Sequence, residues 1–101
     1  MIVAVAVLEL YIEYAQSLKE KRMVVKSLRD KLRHRFEISA AEVGMQDLHQ
    51  RARLAAAFVT LDDSAADAML ERIEDFVASN TDATLAGWTA EKLPFDEDVS
   101  L

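Results

Sequence analysis

Basic side chains recur at helical spacing near the start of the chain, in an arrangement suited to binding phosphates. At about 100° per residue, five of them fall within about 80° of one another on a helical wheel, and no acidic residue lies inside that arc. Cations near the positive end of a helix macrodipole attract phosphates and carboxylates. We expect these residues, named here the basic stripe, to contact phosphate groups: Lys19, Arg22, Lys26, Arg29 and Arg33.

A capping pair marks the start of the helix that carries the basic stripe. Ser17 and Glu20 have the spacing at which the serine hydroxyl accepts from the amide of residue 20 and the glutamate reaches back to the serine amide. Apolar residues then recur at intervals of three and four as far as Phe36. The spacing predicts a helix over residues 18–36.

Lys21 falls inside the apolar arc of that helix, where an unpaired buried charge would be costly. Glu42 and Asp47 are its candidate partners. Two interpretations stay open: a structural ion pair, or an anion pocket formed by Lys21, Arg51 and the helix amides. The second interpretation adds Lys21 to the phosphate contacts, and Arg51 extends the basic stripe. The supporting polar residues are then Ser17, Glu20, Glu42, Asp47 and Gln50.

No residue set typical of catalysis or metal binding stands out. The histidines, His34 and His49, lack the i, i+4 spacing of a helical metal site. Gly44 and Gly87 are isolated and do not form a phosphate-binding loop. We expect a protein that is not an enzyme and that uses neither a metal nor another cofactor.

The remaining elements follow from two kinds of periodicity. Residues 2–13 alternate between a wholly apolar face and a mixed face, which is typical of a strand with one face in a core. Ser64 and Asp67 form a second capping pair, and Asn80 is the expected C-terminal cap of the second helix. The predicted elements are strand 2–13, helix 18–36, strand 38–43, strand 52–61, a helix from Ser64 to about residue 79, and strand 84–93.

This order, βαββαβ, is that of the split-βαβ or ferredoxin-like α+β sandwich. Right-handed crossovers place the strands of its antiparallel sheet in the order 4-1-3-2, with both helices on one face. Strands 1 and 2 then end at the same pole, so residues 17–22 and 44–51 should be neighbours there. We expect a single domain over residues 1–93, followed by an acidic, flexible tail over residues 94–101.

Charge is distributed unevenly along the chain. The net charge of −6 over 101 residues combines +4 over residues 1–36, −1 over residues 37–61 and −9 over residues 62–101, so an acidic protein can still present a basic face. Cysteine is absent, as expected in a reducing compartment. The apolar start has no basic segment before it and is too short to span a bilayer. We expect a soluble cytoplasmic protein that does not associate with membranes.

Several of these residues together resemble the YlxP-like family, small bacterial proteins classed as a domain of unknown function. The resemblance covers residues 1–93 and is clearest in S-L-K-E-K-R at 17–22 and D-x-x-Q-R at 47–51. It implies a ferredoxin-like fold. Because its members are often encoded among translation and ribosome-maturation factors, it also implies an RNA or ribosome setting. Two positions depart from the family pattern: Glu37 stands where asparagine is usual, and His49 where tryptophan is usual.

These observations favour a small binding protein whose partner is RNA or a ribosomal particle, bound through the first helix. A dimeric regulatory ligand-binding module of the ACT type and a protein–protein adaptor are the alternatives that the sequence leaves open. We also expect self-association. A sheet covered on one side leaves Val3, Val5 and Val7 in solvent, so the sequence predicts a homodimer through that face or through an edge strand.

Overall fold

The chain folds into a four-stranded antiparallel sheet with two helices on one face, in a computed structural model that describes residues 1–80 and 82–98. The sheet order is β2-β3-β1-β4, which confirms the predicted order 4-1-3-2 and the ferredoxin-like fold. The elements are β1 (Ile2–Tyr11), α1 (Leu18–Phe36), β2 (Ser39–Gly44), β3 (Arg51–Thr60), α2 (Asp63–Ala78) and β4 (Thr84–Pro94). All predicted boundaries therefore hold to within two residues.

β1 is a central strand because both of its edges are paired. It runs antiparallel to β3 from Ile2↔Thr60 to Tyr11↔Arg51, and antiparallel to β4 on its other side. Its even-numbered residues from Ala4 to Leu10 are buried, as the alternating pattern predicts. The strand ends two residues earlier than predicted, although the Ile12 amide still donates to Gln50 O at 2.8 Å.

The core combines small side chains from the sheet with large ones from the helices. At the centre of the sheet, Ala6 lies opposite Ala56, and both are almost fully buried. Small residues at these positions let the helices approach closely enough for their apolar side chains to fill the layer. The helix residues in this layer are Val25, Leu28, Leu32, Phe36, Ala66, Leu70, Ile73 and Val77.

The second helix begins at a different cap from the predicted one. Asp62 is the N-cap, and its Oδ1 accepts from Ala65 N at 2.8 Å, whereas Ser64 lies inside the helix. Aspartate is as good an N-cap as serine, and Asp62 caps the amide three residues after it, as the sequence predicts for Ser64. The helix therefore begins at the earlier of the two capping residues. The C-cap is Ser79 and not Asn80.

The first helix ends in a left-handed residue. Glu37 is its C-cap, with φ 52° and ψ 47°. Asparagine and glycine adopt this conformation far more easily than glutamate. Glu37 therefore carries strain that asparagine would reduce.

Beyond β4 the described chain continues without regular secondary structure over residues 95–98. Phe95 N donates to Met1 O at 3.0 Å, which holds the start of this segment beside β1. Residues 99–101 of the predicted tail lie outside the described residues. Neither described helix has the combination of length and apolar character needed to cross a bilayer.

Candidate nucleic-acid interface

The start of α1 is fixed by the predicted capping residues, with one difference. Ser17 Oγ accepts from Glu20 N at 3.1 Å, which confirms the serine cap. Glu20 Oε2 accepts from Gln16 N at 2.6 Å, so the predicted bond to the Ser17 amide is wrong by one residue. The glutamate still satisfies an amide just ahead of the helix, and the cap sets the direction in which α1 leaves β1.

Residues 17–22 and 44–51 lie together, as the topology predicts; we name this end of the domain the lysine pole. The fully buried Lys21 joins the two segments: its ammonium group donates to the carbonyls of Met45, Gln46 and Arg51 at 2.8, 3.4 and 3.2 Å. Gln50 Nε2 donates to Glu13 O at 3.1 Å and ties the same loop to the end of β1. The loop is thus held from two sides.

This geometry removes Lys21 from the predicted phosphate contacts. An ammonium group has three N–H donors, and three backbone carbonyls accept from it here. Glu42 Oε2 lies 3.6 Å from the Lys21 nitrogen, so the structural ion pair is confirmed with Glu42. Asp47, the other candidate partner, is exposed. The predicted anion pocket is therefore wrong, because its central cation is already enclosed by the chain.

Arg51 does not extend the basic stripe either. It lies opposite Tyr11 in the sheet, on the face that the helices leave uncovered. Its Nη2 lies 3.5 Å from Glu9 Oε2, and Arg53 donates to Glu9 Oε1 through Nε and Nη2 at 3.2 and 2.6 Å. Because side chains alternate along β3, that of Arg51 points away from α1. At the lysine pole, Arg51 contributes its backbone carbonyl, which accepts from Lys21.

The five residues of the basic stripe do share one flank of α1. Lys19, Arg22, Lys26 and Arg33 are exposed, and none of the four has a carboxylate within 4.0 Å in the described part of the chain. Arg29 is half-buried, and its Nε and Nη2 donate to Asp30 Oδ1, both at 3.2 Å. In the described part of the chain, four of the five predicted cations therefore have no carboxylate partner, and one of these four, Arg33, also donates to a backbone carbonyl.

The flank with the basic stripe faces the edge of the sheet. Arg33 Nε donates to Ala40 O of the edge strand β2 at 2.9 Å, which places this side of the helix beside β2. On the opposite flank, the Arg35 guanidinium lies 5.1 Å from the ring centroid of Phe76 in α2. The basic stripe is consequently open to solvent along the outer edge of the domain.

Sequence reasoning missed the aromatic and ionic contacts of the other cations. Phe36 and Phe76 meet edge to face at 5.6 Å, and Arg72 lies 5.5 Å from the Phe36 ring. Periodicity assigns each phenylalanine to the apolar side of its own helix, and only the crossing of α1 and α2 brings the rings together.

Lys92 of β4 forms a second contact that the sequence did not predict. Its Nζ lies 2.8 Å from Asp63 Oδ2 and 2.6 Å from Asp67 Oδ1, both at the start of α2. The hydrogen bond to Asp63, together with that to Asp67, raises the pKa of the Lys92 ammonium above its ordinary value.

The open sheet face is less exposed than the sequence predicts. Val3, Val5 and Val7 are half-buried, because neighbouring strands partly cover them. Large apolar side chains are exposed at both ends of the sheet. Those near the lysine pole are Tyr14, Val43 and Leu48. A larger group lies at the opposite end of the domain: Met1, Val59, Leu61, Leu93 and Phe95.

Comparisons with known proteins agree with the resemblance seen in the sequence. A family model described as "Protein of unknown function (DUF503)" matches residues 3–89. "Uncharacterized protein YlxP" of Bacillus subtilis (strain 168) is 35% identical over 65 residues, which span 64% of this chain and 71% of that protein. These findings confirm the predicted YlxP-like family.

Proposed function

We propose an RNA-binding role for this chain, which belongs to the DUF503 family of proteins of unknown function. The observation that carries the proposal is the row of four exposed cations on α1 that no carboxylate of the described chain neutralises within 4.0 Å. The partner is RNA, either free or in a ribosomal particle, and its phosphates lie along the basic stripe.

The contrast with other cations supports this choice. Arg51 and Arg53 lie beside Glu9, and Lys92 lies between two aspartates. Arg35 and Arg72 lie over phenylalanine rings. In a chain with a net charge of −6, carboxylates are plentiful, yet in the described part of the chain Asp30 alone pairs with the basic stripe, at Arg29.

Leaving these cations unpaired has a cost that a polyanion would offset. Like charges three or four residues apart on a helix destabilise it by about 0.2–0.5 kcal/mol per pair, and Arg22 and Lys26 form such a pair. Along the helix axis the four cations are separated by about 4.5, 6 and 10.5 Å, given a rise of about 1.5 Å per residue, because Arg29 no longer counts among them. A single row at this spacing suits the phosphates of one backbone.

The salt dependence of RNA binding tests the proposal. We expect a fluorescein-labelled single-stranded RNA of twenty nucleotides to bind with log K falling against log salt at a slope of about −2.8, from about 0.7 per phosphate at four cations. Replacing Arg22→Gln together with Lys26→Gln should reduce the slope to about −1.4 for the same reason. Fluorescence anisotropy over a range of salt concentrations measures both values.

A matched control separates the basic stripe from net charge. Lys31→Gln with Arg72→Gln removes the same two charges from positions outside the basic stripe, and we expect it to keep the slope near that of the parent chain. Equal loss in the two double variants would contradict the proposal, as would the absence of salt-dependent binding to RNA and to ribosomal particles. In that case the ACT-type module or the adaptor becomes the better hypothesis.

Self-association stays a separate prediction. The half-buried valines of β1 and the neighbouring alanines of β3 form the central part of the helix-free face, which a second copy would cover. Sedimentation equilibrium at micromolar concentration should give twice the chain mass of 11.3 kDa. A mass of 11.3 kDa throughout would contradict the homodimer.

A further inference from the structure

The end of the domain opposite the lysine pole exposes large apolar side chains; we name it the acidic pole. Leu61 is 89% exposed, Val59 62% and Phe95 58%. They come from the end of β3, the turn before α2 and the segment after β4, so three separate parts of the chain contribute. Exposed apolar groups gathered in one place typically mark an interaction site.

These side chains line a concave surface. The cavity has a volume of about 790 Å³, and its apolar lining consists of Met1, Val59, Leu61, Ala65 and Phe95. Pockets that bind ligands usually have volumes of about 300–1,000 Å³. The acidic pole can therefore receive one or a few apolar side chains from a partner.

The rim of the cavity carries negative charge. Asp62, Asp96 and Glu97 line it, and Glu97 contacts the Met1 ammonium group. Lys92 is engaged by the aspartates at the start of α2 and does not line the cavity. The surface therefore repels RNA and other anions, and its charge complements a cationic partner.

We propose that the acidic pole docks a protein segment in which an apolar side chain is flanked by lysine or arginine. The apolar side chain enters the cavity, and the flanking cations lie over the acidic rim, chiefly over Asp96, because Glu97 already contacts the Met1 ammonium group. This role is separate from the proposed RNA binding because the two surfaces share no residue: the basic stripe lies on the outer flank of α1, whereas the acidic pole is lined by Met1, residues 59–62 and 65, and residues 95–97.

A second copy of this chain is a competing occupant that the test must separate. Met23 on α1 is 66% exposed and has Lys19 and Lys26 beside it on the helix surface, so α1 itself has the required chemistry. Docking of α1 into the acidic pole of another copy would be head to tail, and such contacts extend into open chains. We favour a different protein, a choice that rests on the proposed RNA binding, because a head-to-tail chain would cover the basic stripe.

Binding of defined peptides tests the proposal. The probe is a fluorescein-labelled nine-residue peptide with three leucines interspersed among lysines, and two further peptides replace its lysines with glutamate or its leucines with serine. We expect the first peptide alone to bind the full chain, with affinity falling as salt rises, and to shift the amide NMR signals of residues 59–65 and 95–97. Equal binding of the glutamate peptide, or shifts confined to the lysine pole, would overturn the proposal.

Variants of exposed leucines locate the binding. Leu61→Ser should lower the affinity for the peptide by about tenfold, because the contact with one leucine side chain is lost. Leu48→Ser is the matched control, since Leu48 is an exposed leucine of the lysine pole, and it should leave the affinity unchanged. Equal losses in the two variants would contradict the site.

Two further measurements separate this proposal from the others. Arg22→Gln with Lys26→Gln should lower the affinity for RNA and leave the affinity for the peptide unchanged. Leu61→Ser should lower the affinity for the peptide and leave the affinity for RNA unchanged. Either proposal can therefore fail without the other. Oligomers that grow with protein concentration and disappear in Leu61→Ser would overturn the peptide occupant and assign the acidic pole to a second copy. A constant mass in both proteins supports a different partner.

Discussion

The two poles of the domain differ in how far contacts within the chain engage their polar and apolar groups. At the lysine pole, a buried ammonium group and three carbonyls hold the loop over residues 44–51 against α1. At the acidic pole, Leu61 and Phe95 lie mostly in solvent, and no described segment covers them. Both poles end the same sheet and both expose apolar side chains, Tyr14 and Leu48 at the lysine pole among them, but it is the lysine pole that a buried side chain holds together.

This difference separates stability from recognition. A closed polar network contributes to folding and leaves few groups for a ligand, which is why Lys21 is lost as a binding residue. Open apolar and unpaired charged groups contribute little to folding and remain available to partners. The surfaces that merit binding experiments are therefore the basic stripe and the acidic pole.

The largest expected effect comes from opening the lysine pole. Lys21→Met should lower the free energy of unfolding by about 3 kcal/mol, because it leaves the Glu42 carboxylate without its buried partner and three carbonyls without their donor. Chemical denaturation measures this change. Lys19→Met is the control, because Lys19 is an exposed lysine two residues away on the opposite side of α1. It should change the free energy of unfolding by less than about 0.5 kcal/mol.

A double variant checks the cause of that loss. Lys21→Met combined with Glu42→Gln should be less destabilised than Lys21→Met alone, because the uncompensated charge is gone. A stability of Lys21→Met close to that of the parent chain would show that the lysine pole is not held in this way.

A smaller effect is expected at the acidic pole from the cap of α2. Asp62→Ala should cost about 1 kcal/mol of unfolding free energy, because the Ala65 amide loses its acceptor. Ser64→Ala should cost only a few tenths, since Ser64 is not the cap. Thermal unfolding of the two variants gives the comparison, and a larger loss for Ser64→Ala would return the cap to the residue that the sequence favoured.

The smallest effect should be a gain at the end of α1. Glu37→Asn should stabilise the fold by about 0.5 kcal/mol, because asparagine adopts the left-handed conformation with less strain than glutamate. Glu37→Ala, which lacks this tolerance, is the control and should give no gain. Denaturant midpoints measured side by side would decide, and a loss of stability in Glu37→Asn would contradict the strained cap.

Much of the fold is predictable because its signals are local. The Ser17 cap, the apolar period of residues 18–36 and the alternation of β1 each depend on residues a few positions apart. The element order then limits the topology, and the topology alone places residues 17–22 beside 44–51. The same reasoning limits the partners of Lys21 to Glu42 and Asp47, and the structure selects Glu42.

The site is less predictable because it depends on directions that local patterns leave open. Arg51 belongs to the expected pole, but the parity of β3 sends its side chain to the other face of the sheet. The Lys21 ammonium group donates to backbone carbonyls, and a pattern of side-chain types does not show where those carbonyls lie. Leu61 and Phe95 are far apart in the chain, so their shared cavity emerges only when β3 and β4 end together.

The sequence by itself determined the elements, their order, the charge asymmetry and the single flank that holds the basic stripe. Each of these features depends on the types and spacing of residues within one or two helical turns or within one strand. The tertiary structure alone decided which cations stay free, which carbonyls enclose Lys21 and where apolar groups remain uncovered. Those outcomes depend on contacts between distant segments, and the free energy of such contacts is set by packing geometry that no local spacing specifies.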